Sequence, residues 1–225
     1  MENHFFFLSV SQACGAPHEL TAPRVRARRC LGGCYDFRMS RAGFVLVGGR
    51  SSRMGCNKAL LSYRGATLVE YIASEVQSAA GSVSLVGSAD LYCRLPYPVV
   101  PDRFPNCGPA AGVHAALACG EADWNLIVAC DMPGVTRDRL ARLLEEAERR
   151  ARQALIPLAD ARRPQPLCAV YHRDCLPVFE RALRMGRYRL SSVIQELDLA
   201  CLSPEETAWL ENLNTPADWA AHVGR

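Results

Sequence analysis

The stretch FVLVGGRSSRMGCNKALL, residues 44–61, ends an apolar run at two glycines and then sets Arg50, Arg53 and Lys58 within nine residues. Gly48 and Gly49 let the backbone approach a ligand closely and aim amide hydrogens at it. Positive charge added to such a nest suits phosphates. The spacing is neither GxxxxGK[ST] nor GxGxxG, so the P-loop and the dinucleotide fingerprint are both absent. A plain strand-to-helix turn also uses glycine to bend, but the clustered cations favour phosphate over that reading. Lys58 is the only lysine in the chain; the other 25 of the 26 Lys plus Arg are arginines. A codon preference for arginine accounts for the shortage and not for where the exception stands. A compact ammonium on a flexible stem reaches a phosphate oxygen where a planar guanidinium does not fit.

Two carboxylates have similar settings. In IVACDMPG, Asp131 follows an apolar run directly, a position suited to holding Mg²⁺ together with substrate phosphates. The structural alternative is a turn or cap carboxylate. Asp102 follows YPVVP and can accept from a ribose or base, or pair with Arg103. Ser51 and Ser52 lack a base, and His114 lies in an alanine-rich run that reads as packed helix, so no Ser-His-Asp site forms. Cys130 has no thiolate activator and reads as core. Cys30 and Cys34 lack zinc spacing.

The elements that must carry these residues alternate from residue 42 onward. Strands are expected at 44–47, 82–87, 98–102 and 124–130, with helices at 66–81, 108–120 and 136–153 and a short one around Leu91. Thr136 is the expected cap of the third helix and Gly81 the stop of the first. Residues 153–171 read as two strands joined by a polar hairpin, followed by helices from about Arg173 and over 189–197. A last short helix begins at Thr215 and Pro216. This pattern predicts an α/β fold of three layers with a mostly parallel, doubly wound sheet and a Rossmann-like nucleotide-binding half. Ligands in such sheets sit outside the carboxyl ends of the strands. Gly48, Asp102 and Asp131 all fall at those ends, so the glycine loop and two carboxylates converge on one edge.

Composition bounds the rest. A chain of 225 residues, 49% hydrophobic and 22% charged, suits one soluble domain. A net charge of +3 without a basic stripe argues against nucleic acid. No apolar run approaches the ~20 residues of a membrane span. The 11 cysteines show no CxxC pair and read as reduced thiols in a cytoplasmic protein. Residues 1–40 follow neither period and are expected to be a disordered extension, leaving 41–225 as the domain. FFFLSV is too short for a signal peptide and MENH has no positive charge. RVRARR reads as solvated rather than as a basic tether, and Met39 is a candidate start of translation.

LVGGRSSRMGCNK resembles the glycine-rich signature of nucleotidyltransferases, in the version carried by the molybdenum cofactor guanylyltransferases. VVPDRFPNCGPAAGVHAAL, ACDMP, PLCAVY and NLNTPADW resemble that family's later blocks, in the right order over about residues 42–222. The resemblance implies a nucleotide-diphospho-sugar transferase-like fold, GTP and molybdopterin (or its molybdenum-loaded form) as substrates, and Mg²⁺ as cofactor. The acceptor's terminal phosphate would attack the α-phosphorus of GTP, giving the guanine dinucleotide and pyrophosphate. Leu46, Val47, Gly48 and Gly49 would contact the nucleotide, and Lys58 with Arg53 its phosphates. Asp102 would serve the nucleoside end and Asp131 the magnesium. Asn212 and Asn214 match paired asparagines near the metal, Asn214 being the second candidate ligand. Other molybdenum cofactor biosynthesis proteins and apo-molybdoenzymes are the partners it implies.

Three positions depart from the family's pattern. Alanine is usual at Val47, aspartate at Asn57, and a guanine-holding asparagine falls on Gly87 or its neighbours. Cytidylyl transfer to molybdopterin, nucleotide-sugar synthesis and a non-catalytic cofactor-delivery adaptor therefore stand as alternatives. A dinucleotide oxidoreductase fares worst, since Glu70 sits in a helix and not at a strand end. Nothing in residues 1–38 reads as a packed element. Their deletion is expected to leave the melting temperature and nucleotidyl transfer unchanged; a large fall in melting temperature, measured by calorimetry, refutes the boundary.

Overall fold

The computed structural model describes residues 40–48, 57–120, 122–160, 163–207 and 209–210. Expectations for the extension, for Gly49, Arg50 and Arg53, and for Asn212, Asn214 and the last helix lie outside these residues. Ten strands are described: β1 (Arg41–Leu46), β2 (Ser62–Tyr63), β3 (Ala66–Thr67), β4 (Ser84–Val86), β5 (Val99–Val100), β6 (Trp124–Ala129), β7 (Ala154–Asp160), β8 (Arg163–Pro164), β9 (Cys168–His172) and β10 (Leu199–Leu202). Six helices accompany them: α1 (Leu68–Ala80), α2 (Ala89–Tyr92), α3 (Pro109–Cys119), α4 (Arg137–Arg150), α5 (Leu176–Arg184) and α6 (Leu190–Ile194).

The main sheet runs β10-β7-β9-β6-β1-β4-β5, with β8 attached to β7. Strands β5, β4, β1 and β6 are mutually parallel, and β10 is parallel to β7. β9 alone runs against its neighbours β6 and β7 in this order. The sheet is thus mostly parallel, as the alternation predicts. Its central strands are buried on both faces, which is why β6 reads as six consecutive buried residues, WNLIVA, and not as an alternation. α1 and α4 cover one face through Val69, Ile72, Val76, Leu140, Leu143 and Leu144. α3, α5 and α6 cover the other through Val113, Phe179, Leu183 and Val193. None of the described helices is long and apolar enough to cross a membrane.

Helix ends follow their local chemistry. α1 opens with a capping box in which the Glu70 amide donates to Thr67 Oγ1 and the Thr67 amide donates to Glu70 Oε2. The Thr67 hydroxyl, donating to Glu70 Oε2 at 2.6 Å, and then the Thr67 amide hold the Glu70 carboxyl below its ordinary range, so the residue is a structural cap. α1 stops at Gly81, whose φ of 83° lies in the left-handed region. Thr136 caps α4, as expected. Arg41 on β1 holds α4 against the sheet with a bidentate pair to Glu148, both contacts at 2.6 Å. The sequence pattern does not predict the β2–β3 hairpin. Its two-residue strands are too short for period 2 to register, and its turn at Arg64 and Gly65 has φ of 48° and 85°.

β1 and α1 lie very close at Gly43. A Cβ there would stand 2.3 Å from Val76 Cγ1 and 2.7 Å from the Ser82 carbonyl oxygen. Gly43→Ala must push helix and strand apart, at about 1–3 kcal/mol for overpacking. The melting temperature is expected to fall by roughly 5 °C. A variant that melts with the wild type refutes the close approach.

Candidate active site

The four parallel strands end side by side, and single backbone bonds extend their ladder beyond the last strand residues. The Cys130 amide donates to Leu46 O at 3.1 Å, Val47 to Val86 O at 3.0 Å and Gly87 to Val100 O at 3.0 Å. Each loop therefore leaves the sheet in register with its neighbours. Between them lies a cleft of about 1450 Å³, walled by Leu46–Gly48, Gly87–Ala89, Asp102, Gly108 and Cys130–Asp131. Asn57, Lys58 and Tyr92 close it on one side. A pocket for one small ligand spans roughly 300–1,000 Å³, so this cleft has room for two substrates.

The edge brings together Leu46, Val47, Gly48, Lys58, Asp102 and Asp131. Gly48 is exposed, and among the described residues nothing lies within 4 Å of where its Cβ would be. Lys58 begins a 3₁₀ turn at Lys58–Leu60 that is capped by Asn57: Oδ1 accepts from the Ala59 amide at 3.1 Å. The Nδ2 of the same side chain donates to Tyr92 Oη at 2.9 Å. This accounts for an amide at a position where the family resemblance leads to aspartate. A second departure also has a physical partner. A Cβ at Gly87 would stand 2.8 Å from Val47 Cγ2, so the bulk of Val47 and the bareness of Gly87 go together.

Asp131 is the least satisfied polar group of the site. Its Oδ1 is buried and has no hydrogen-bond partner among the described residues. Burial pushes its carboxyl above the ordinary range, while the nearby Lys58 ammonium and its own amide pull it back. The Cys130 thiol is pushed up to about 12, first by burial and then by the Asp131 charge, with Lys58 offsetting part. It is no nucleophile, in agreement with its reading as core. Asp102 accepts from the Phe104 amide at 2.8 Å, closing a turn rather than pairing with Arg103. Burial again outweighs that bond and raises its carboxyl. His114 is buried beneath this turn, ring against Phe104 at 5.0 Å, and burial lowers its imidazole below the ordinary range.

Tyr92 has no counterpart in the motif reading. The pattern places a short helix around Leu91, yet Leu91 is exposed and its neighbour faces inward. Far along the chain, Trp209 crosses the turn that follows Asp131: a Cβ on Gly134 would stand 2.4 Å from Trp209 O. Among the described residues no three His, Cys, Asp or Glu side chains gather as a metal site.

A glycine-rich sequence, a lysine and a strand-end carboxylate at the carboxyl edge of such a sheet fit the nucleotidyltransferase class. The fold agrees. It superposes on molybdopterin-guanine dinucleotide biosynthesis protein A from Archaeoglobus fulgidus with a TM-score of 0.71 at 27% identity, covering 81% of this chain and 97% of that one. It shares its fold, at 18% identity and a TM-score of 0.61, with 2-C-methyl-D-erythritol 4-phosphate cytidylyltransferase from Thermus thermophilus, covering 83% and 98% of the two chains. The chain belongs to the MobA-like NTP transferase family, whose model matches residues 43–201. A probable molybdenum cofactor guanylyltransferase of Bacillus cereus is 32% identical over 80% of this chain and 95% of its own length. One from Carboxydothermus hydrogenoformans is also 32% identical, over 78% and 91%.

Asp131→Asn keeps shape and removes the buried charge. Because the folded carboxyl is raised, the native state binds this proton more tightly than the unfolded chain does. Its contribution is full below the unfolded value of about 4 and is lost as pH rises through the folded value. In the nucleotide-free protein, wild type should lose stability relative to the variant across that window. Melting curves against pH read it, and a gap that does not widen with pH refutes the strained carboxylate.

Proposed function

We propose that this enzyme transfers GMP from GTP to the terminal phosphate of molybdopterin, releasing pyrophosphate and forming molybdopterin guanine dinucleotide. The observation that carries the reading is the meeting of Lys58 and Asp131 at the strand edge, where both line the cleft and the ammonium pulls the Asp131 carboxyl down. The names of the relatives support guanine and molybdopterin as the particular substrates. A cleft with room for a nucleotide and an acceptor supports direct transfer between them.

The reaction needs no covalent enzyme intermediate. An acceptor phosphate oxygen forms the new bond to the α-phosphorus, and the bond from that phosphorus to the bridging oxygen breaks. The electron pair leaves with pyrophosphate. The chain's part is positioning and charge neutralisation. Backbone at Leu46, Val47, Gly48 and Gly49 holds the nucleotide. Lys58 and Arg53 meet its phosphates, and Asp102 the nucleoside end.

Magnesium fits the donor set. Asp131 offers a hard, buried carboxylate oxygen that lacks a partner among the described residues, and magnesium is usually held by one or two carboxylates plus substrate phosphates and waters. Asp131, with Asn214 as the second candidate, would hold the ion, which when bound neutralises charge on the triphosphate.

The choice of base is tested with the chemistry. Pyrophosphate release is measured with GTP, CTP, ATP and UTP in the presence of molybdopterin and magnesium. GTP is expected to dominate; dominance of CTP identifies a cytidylyltransferase, and release with none supports the adaptor. Lys58→Ala is expected to lower kcat/KM about 10²–10³-fold with the fold intact, the cost of one electrostatic donor. Lys58→Arg should restore only part. Normal turnover in Lys58→Ala removes it from the mechanism.

A further inference from the structure

Tyr92 ends α2 and is buried, 2% exposed, in the wall of the cleft. Its phenol has two described partners with short contacts, and neither is on α2. It donates to Val47 O at 2.9 Å and accepts from Asn57 Nδ2 at 2.9 Å. Val47 is the residue that follows β1, and Asn57 caps the turn that begins at Lys58. The two flank the glycine-rich stretch, ten positions apart in sequence. One side chain from a different part of the chain therefore ties the entry of that stretch to its exit.

The shorter contacts give this tie a direction. A backbone N–H only donates, so the Ala59 amide must meet Asn57 Oδ1, as it does at 3.1 Å. That turns Nδ2 toward the phenol, and an amide NH₂ only donates. The phenol oxygen accepts there and has one proton left to give. That proton goes to Val47 O at 2.9 Å, the shorter of two acceptors; Asn57 Oδ1, at 3.3 Å, already takes the Ala59 amide. The shorter contacts thus run one way, Asn57 to Tyr92 to Val47. Phenylalanine would fill the same volume, so packing alone does not call for the hydroxyl. Val47 is itself 5% exposed, which leaves its carbonyl little access to water if the phenol is removed.

We infer that Tyr92 is a positioning residue that staples the two ends of the nucleotide-binding loop and, through the Asn57 cap, sets Lys58 at the phosphates. The inference rests on the reading of Lys58 as a phosphate cation. It makes the hydroxyl of Tyr92 matter for the nucleotide only by way of Lys58, and that is separable from a merely structural contribution.

The test is a double-mutant cycle on nucleotide affinity. Calorimetry with magnesium measures binding of whichever of GTP, CTP, ATP and UTP the wild type binds best. Tyr92→Phe is expected to weaken binding about tenfold, the loss of one buried hydrogen bond. In the Lys58→Ala background the same substitution should cost less than about twofold, because the group it positions is gone. An equal loss in both backgrounds makes Tyr92 structural and overturns the inference. Unchanged affinity in Tyr92→Phe overturns it too, while wild-type binding leaves the nucleotide reading standing. Failure of wild type to bind any of the four refutes that reading and this inference with it. If Tyr92→Phe does not fold, Asn57→Ala keeps the tyrosine and removes its donor; the same tenfold loss supports the relay, and none overturns it.

Discussion

The parallel register of β1 on β6 is the constraint on which the site depends. Leu46 lies opposite Ala129, and the Cys130 amide carries the ladder one step further to Leu46 O. Because strand side chains alternate between faces, a slip of one residue would turn every buried group of either strand to the other side. The continuous burial of β6 and of Gly43–Leu46 on both faces makes such a slip costly. Asp131 and Gly48 are therefore held by the core, at the one place where both strands stop. A single-residue frame determines that a carboxylate and a bare backbone share a cleft.

Within that frame burial works against the site's own acidic groups. Asp131 and Asp102 are both raised by burial, and Cys130 is pushed up to about 12 beside the first of them. Lys58 relieves part of this. The cleft is thus a place where anionic groups are costly and one cation partly compensates, which is the arrangement that a ligand bringing both phosphates and a cation improves. Stability given up at such an edge is commonly recovered in binding. The α3 face of the sheet is closed by alanines of α3 and by Phe179 and Val193.

Much of this was legible in the residues. The alternation reveals the layers, because buried parallel strands such as WNLIVA are unbroken apolar runs flanked by helical periods. The rule that ligands sit at carboxyl ends placed Gly48, Asp102 and Asp131 together. Other features were beyond reach for specific reasons. The β2–β3 hairpin has too few residues to show a period. Tyr92 sits in a four-residue helix, where no stripe distinguishes the inward side chain from exposed Leu91. The linked departures at Val47 and Gly87 concern residues 40 positions apart, and only their contact across the sheet end explains why a larger side chain at one requires none at the other.

The solitary lysine has one more consequence. In a chain where 25 arginines carry the remaining fixed positive side chains, Lys58 holds the only side-chain primary amine. Arginine does not acylate or form imines under conditions where lysine does. Any reagent or metabolite that acylates lysine therefore has a single side chain to find, and that side chain lines the cleft. Acetylation there would erase the ammonium beside Asp131 in one step. For covalent chemistry directed at lysine, this molecule is singly addressable, and its address is the active-site candidate itself.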